Sequence, residues 1–200
     1  GVASPIEASS LEASIRTQTR RLRETVNALA VRSGIPIALH VKRGRVTEEI
    51  LAAAIEADLM LIGWSSAPTQ QRRRIGTTAR AVARQSHRPV LILRQGTVVL
   101  SSPVSVVFDG SSGSERAMLT AADLAMTDSS RLTVLLAMPG ESDETESAVL
   151  RARATALLAG RGLDLRFRTL AGITCSRLGL ALAETPAGVL VIASDNPLLV

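Results

Sequence analysis

The sequence predicts an α/β fold, a doubly wound parallel sheet or sheets covered by helices on both faces. Three observations carry this. Stretches with apolar residues at helical spacing alternate with short apolar runs of strand length, several of those runs end in glycine, and the whole pattern restarts about halfway along the chain.

Residues 8–33 place Leu11, Ile15, Leu22, Val26, Leu29 and Ala30 on one helical face among arginines and glutamates, and Gly34 follows where a left-handed cap would end the helix. Ile35, Ile37, Leu39 and Val41 then alternate with Pro36, Ala38, His40 and Lys42, the period of a strand, closing at Gly44. Thr47 with Glu48 and Glu49 opens a short helix to about Ala57. Asp58 to Gly63 is an apolar run ending in glycine, as a buried parallel strand would. Residues 76–87 read as a helix and Arg88 to Arg94 as a strand. After a linker, Val104 to Phe108 and Leu132 to Ala137 read as strands around a helix from Ser114 to Met126. Residues 143–159 and 174–185 read as helices, 163–170 and 188–193 as strands.

Offset by 128 residues, Gly34 falls on Gly162, Ile35 on Leu163, Ile37 on Leu165, Leu39 on Phe167 and Gly44 on Gly172. With two residues inserted, Leu59 to Ile62 matches Val189 to Ile192, and Gly63 corresponds to Ala193. The reading is of two related units, residues 1–96 and 104–200, joined by a linker at 97–103. In this register the first lacks its first strand, first helix and second strand, and the second lacks its last helix and strand.

Composition narrows the function classes. With 46% hydrophobic and 20% charged residues the chain lies within the globular range. No apolar run reaches the roughly 20 residues that span a bilayer, and residues 1–11 lack the pattern of a signal peptide, so a cytoplasmic location is expected, without membrane insertion by this chain itself. One cysteine, Cys175, and two histidines, His40 and His87, provide neither a disulfide nor a metal cage, and no metal site is expected. Cys175 opens a predicted helix and reads as a small apolar filler; the histidines read as surface or capping residues.

The sequence pI near 11.0 hides an asymmetry: residues 1–100 hold 15 basic and 7 acidic side chains, residues 101–200 hold 8 and 11. The arginines are spread over several predicted elements. Trp64, Phe108 and Phe167 are the only aromatics, too few for stacking platforms, so nucleic-acid binding is the weakest reading. No Ser-His-Asp set, framed carboxylate pair or Gly-Lys-Ser phosphate motif is present, and no catalytic residue is expected.

The residue pattern with most chemistry begins at Gly63-Trp64-Ser65-Ser66 and continues nine residues later with Gly76-Thr77-Thr78. A glycine at a strand end lets backbone approach a ligand, and a Gly-Thr helix start offers free N–H groups and hydroxyls to an anion; a solvated loop and an ordinary helix cap produce the same letters. Arg72, Arg73 and Arg74 lie in that loop, as a phosphate contact or a solvated run. Asp109, at a predicted strand end, either reaches a ligand or caps the turn to Ser114.

These residues resemble the universal stress proteins. That family's nucleotide-binding members carry a glycine, two residues, a second glycine, nine residues and then Gly-Ser or Gly-Thr after the fourth strand. Gly63, Gly76 and Thr77 fit, and Ser66 stands in place of the second glycine. Val104 to Phe108 followed by Asp109 and Ser114 resembles the family's first strand, its aspartate and the start of its first helix. Gly44 resembles the glycine after its third strand, and Arg88 to Ile92 its fifth.

The resemblance implies an adenine-nucleotide alpha-hydrolase-like fold and a regulatory module for stress response or signalling, with no enzymatic turnover. It implies ATP or a related adenine nucleotide held by Gly63, Ser66, Gly76, Thr77, Thr78 and Asp109. It also implies a homo-oligomer or tandem pseudo-dimer. The departures, Ser66 and the run Ala193-Ser194-Asp195-Asn196-Pro197 where a second glycine loop would begin, point to an alternative. That alternative is a degenerate interaction or dimerisation domain without nucleotide, such as the cytosolic regulatory part of a membrane transporter.

Overall fold

A computed structural model of the chain describes residues 5–64, 75–93, 103–127, 131–140, 143–172, 174–184, 188–193 and 196. It divides into two compact units, Gly1–Glu49 and Ile50–Val200.

In the first unit, helix α1 spans Pro5–Ser33. Proline at the first helical position supplies the required φ and lacks only an N–H that would have no partner there. Gly34 closes the helix at φ +67°, in the left-handed region that favours glycine, and its N–H bonds the Ala30 carbonyl at 3.0 Å. Helix α2, Val46–Ala53, follows with Glu48 and Glu49 in its first turn.

Between these helices the expected strand at Ile35–Val41 does not form. The segment carries no sheet pairing, and Ile35, Ile37 and Val41 are 61%, 43% and 55% exposed. A period of two specifies which side chains share a face, but a strand also needs a neighbouring backbone to take its N–H and C=O groups. Among the described residues this segment has none. None of residues 13–49 is buried.

The second unit begins with the end of α2 and a 3-10 turn, Ala54–Glu56, which leads into strand β1, Met60–Gly63. Helix α3, Thr77–Gln85, connects toward β2, Val90–Leu93, and the two strands pair in parallel from Met60 with Val90 to Gly63 with Leu93. The linker reading at 97–103 falls, apart from Pro103, outside the described residues.

The remaining elements are β3 (Val104–Phe108), α4 (Ser112–Met126), β4 (Arg131–Met138), α5 (Glu144–Leu157), β5 (Asp164–Ala171), α6 (Cys175–Glu184) and β6 (Val189–Val191). The four strands form a wholly parallel sheet in the order β5-β4-β3-β6.

Strand alternation sorts the core into two layers. Val104, Val106 and Phe108 of β3 with Leu132, Val134 and Leu136 of β4 face α4 and α5, through Ala117, Met118, Ala121, Ala122, Ala154 and Leu158. Val107, Leu135, Ala137 and Leu170 face the other way, onto Leu178 and Ala181 of α6. Every residue of β3 is buried, which is why its sequence is a continuous apolar run broken only by Ser105. Burying a side chain such as Phe108 contributes roughly 1.5–3 kcal/mol. Leu91 of β2 packs against the first layer.

The chain runs outward from β3 through β4 to β5, then returns to place β6 on the opposite side of β3. The carboxyl ends of β3 and β6 therefore flank a topological switch point, where open α/β sheets form a crevice. No helix among the described residues is long and apolar enough to cross a membrane.

Candidate functional site

Two places collect the candidate residues. The first is the carboxyl end of β1 and the start of α3. Gly63 ends β1 exposed, and a Cβ built on it would meet no atom of the described residues within 4 Å. The Trp64 N–H donates to the Leu93 carbonyl at 2.7 Å, which extends the β1–β2 register by one step. The Gly76 N–H donates to the Trp64 carbonyl at 2.8 Å. The start of α3 is thus tied to the end of β1.

Gly76 caps α3 with no side-chain hydrogen bond, and no acidic residue occupies the first turn. Helix geometry leaves the first N–H groups without intrahelical partners, and among the described residues no acidic side chain in the first turn offsets the positive end of the helix dipole. Helices α4 and α5 differ, with Ser111 and Asp143 as caps and Glu115, Glu144 and Glu146 in their first turns. Thr77 is exposed and Thr78 half-buried, while Ala79 and Val82 are buried and anchor the helix. Ser66 and Arg72 to Arg74 lie outside the described residues.

The second place is the switch-point crevice. Asp109 follows β3 directly, and its Oδ1 accepts the Ser111 N–H at 2.9 Å. Ser111 in turn caps α4, accepting the Ser114 N–H at 3.1 Å, and the buried Ser114 hydroxyl donates back to the Ser111 carbonyl at 2.9 Å. The capping role considered for Asp109 is therefore what it performs on this side. Its other oxygen, Oδ2, accepts from Asn196 Nδ2 at 3.3 Å. Burial works to raise the Asp109 pKa, but the Ser111 and Ser114 hydrogen bonds outweigh it and hold the carboxyl below its ordinary value.

The sequence marks Asn196 only as part of the run that departs from a second glycine loop, not as a contact of Asp109. The Asn196 N–H donates to the Ala193 carbonyl at 3.1 Å, and the residue is only 3% exposed, with its side chain on Asp109. The turn-forming Asp-Asn-Pro run was the available signal.

The structure brings Gly63 and Gly76–Thr78 together through the Trp64 tie. No hydrogen bond or ion pair among the described residues joins them to Asp109. His40 and His87 are exposed, and Cys175 opens α6. A groove of about 860 Å³ runs along α5, where Arg151 sits over the Phe167 ring at 5.2 Å; none of the candidate residues lines it.

Comparison with known proteins bears on this geometry. Residues 2–94 match the universal stress protein family. A universal stress protein from Archaeoglobus fulgidus DSM 4304 superposes with a TM-score of 0.67 at 16% identity, over 92% of this chain and 70% of its own. A protein from Pseudomonas aeruginosa UCBPP-PA14, provisionally placed in the same family, gives 0.61 at 17% identity, over 94% of this chain and 69% of its own. At such identities the likeness is one of fold, and it extends across both halves. No curated protein matches the chain.

Proposed function

We propose, from the premise that residues 2–94 are a universal stress protein family domain, that this chain is a regulatory module holding ATP or a related adenine nucleotide at the loop from Gly63 to Thr78. The observation that carries the reading is the Trp64–Gly76 hydrogen bond, which sets an exposed strand-end glycine beside a helix start that has, among the described residues, neither an acidic residue in its first turn nor a capping side chain. Such a helix start attracts phosphate. Thr77 and Thr78 add hydroxyls, and Ser66 lies on the same loop.

In this reading binding changes shape or partners, without dedicated turnover, in a cytoplasmic stress-response or signalling role, with self-association through an open sheet edge. The Asp109–Asn196 contact favours a different role for the second half, in which its crevice does not take nucleotide and its sheet serves interaction.

Trp64 is the only tryptophan and no tyrosine is present, so intrinsic fluorescence reports on the base of the loop. Titration with Mg-ATP is expected to give a saturable change, mimicked by tripolyphosphate more than by adenosine and abolished by Gly76→Leu. An unchanged spectrum, together with no displacement of a labelled nucleotide, would leave the interaction-domain reading.

A further inference from the structure

We propose that α1 and residues 35–41 form a docking surface for a strand–helix–strand segment of the kind that β3, α4 and β4 make in the second half. Such a segment lays a parallel strand beside residues 35–41 and an acidic helix along α1. Nucleotide at the Gly63 loop is not needed for this docking.

The chain carries its own template. At the offset of 128 residues, Leu22, Val26, Leu29 and Ala30 of α1 fall on Leu150, Ala154, Leu157 and Leu158, the face that seats α5 on the core, and every one of these positions is apolar in both copies. Ile35, Ile37 and Leu39 fall on Leu163, Leu165 and Phe167, which pack against that same core. In the second half β5 is paired by β4, and α5 is met by β4 and α4. In the first, Leu22, Ile35 and Val41 are more than half exposed, and residues 35–41 have no strand partner among the described residues. What surrounds the second copy therefore defines what fits the first: a strand with an open edge and a helix joined to it. Parallel neighbours in one sheet are connected through a helix, so strand and helix come as one strand–helix–strand unit.

Charge narrows the helix. Arg153 of α5 pairs with Glu115 of α4 at 2.7 Å, and Arg161 beyond α5 pairs with Asp123 at 2.5 Å. Arg153 falls on Thr25, and α1 carries Arg21 and Arg32 one turn before and two turns after it on the same side, both exposed. Residues 13–49 hold eight basic and three acidic side chains. The complementary helix is acidic, as α4 is toward α5.

A second copy of this chain fits poorly. Both edges of its β3–β4 pair are taken, by β6 and β5. Strand β5, at the end of the sheet among the described residues, carries Arg166 and Arg168, and residues 35–41 run into Lys42 and Arg43, so pairing them sets like charges together.

The docking is tested by supplying the segment. A second copy of residues 103–138 is placed ahead of α1 in the full chain, once joined directly and once through a Gly-Ser linker, so that a strained junction does not decide the result. The amides of residues 35–41 that face the added strand are expected to exchange with deuterium on the order of a hundredfold or more slower than in the unmodified chain. Leu22→Asp with Leu29→Asp returns them to the unmodified rate. Lysine at the added copy's counterparts of Glu115 and Asp123 removes part of the protection, and Arg21→Glu with Arg32→Glu restores it. Unchanged exchange of residues 35–41 in both joined versions, with β5 protected as in the unmodified chain, would overturn the proposal. So would protection of residues 35–41 in the unmodified chain that rises with protein concentration, which assigns the face to a second copy.

Discussion

Residues 34–44 and 162–172 have the same grammar and different fates. Each opens on a glycine at φ +67°, and each continues with apolar residues in a period of two. The second becomes β5, paired residue by residue with β4 from Asp164 to Ala171. The first stays unpaired, with Ile35 and Val41 more than half exposed.

The helices before them diverge in the same way. At the same offset Leu22 and Leu29 of α1 correspond to Leu150 and Leu157 of α5, which pack against the core, whereas Leu22 and Leu29 are 52% and 39% exposed. Pattern decides which face of an element is apolar. A partner decides whether that face is buried and whether the backbone becomes a strand.

The largest difference is expected in truncation. Leu170→Ala in β5, where the side chain is 7% exposed, should cost about 2–5 kcal/mol in urea unfolding. Ile37→Ala should stay within about 0.5 kcal/mol. Comparable costs would mean that residues 35–41 are buried in solution.

The paired glycines sharpen the point, since a Cβ at either would meet no atom within 4 Å. Gly162→Ala should cost about 1–2 kcal/mol, the strain of a left-handed L-residue. Gly34→Ala should leave the main unfolding transition in place and fray only the end of α1, seen as a small loss of helical circular dichroism.

Hydrogen exchange reads the same contrast without mutation. The β5 amides that face β4 should be protected by global unfolding, and the amides of residues 35–41 should exchange at close to the rate of unstructured chain. Protection of both segments would show that the first had found a partner.

A smaller effect concerns Asp109. Its carboxyl is held below the ordinary 3.8, so the stability it contributes is present above that pH and is lost as the pH falls toward the lowered folded value. Asp109→Asn should therefore melt somewhat earlier than the parent at pH 7, with the gap narrowing below about pH 4. A gap independent of pH would assign the loss to something other than the charge.

Much of the fold is legible in the sequence because its signals are local. Buried parallel strands such as β3 and β4 read as continuous apolar runs, and Asp109, Ser111 and Ser114 sit where a strand end and a capped helix require them. The strand at Ile35–Val41 was misread because the presence of a neighbour is not a local property. The contact of Asn196 with Asp109 is not legible for a related reason: the two lie 87 residues apart, and only the return of β6 to the far side of β3 brings them together. The pattern from Gly63 to Gly76 was legible as spacing, whereas the Trp64–Gly76 hydrogen bond depends on backbone groups that every residue carries.

The central claim, nucleotide held by the first half's loop, is tested most directly by the melting temperature of the full chain with and without saturating Mg-ATP. A ligand at about 100 times its dissociation constant adds about 2.7 kcal/mol, a rise of roughly 5–10 °C for a chain of this size. The account predicts that rise, and its loss in Gly76→Leu. A melting temperature unchanged up to millimolar Mg-ATP, with the protein folded throughout, would contradict it.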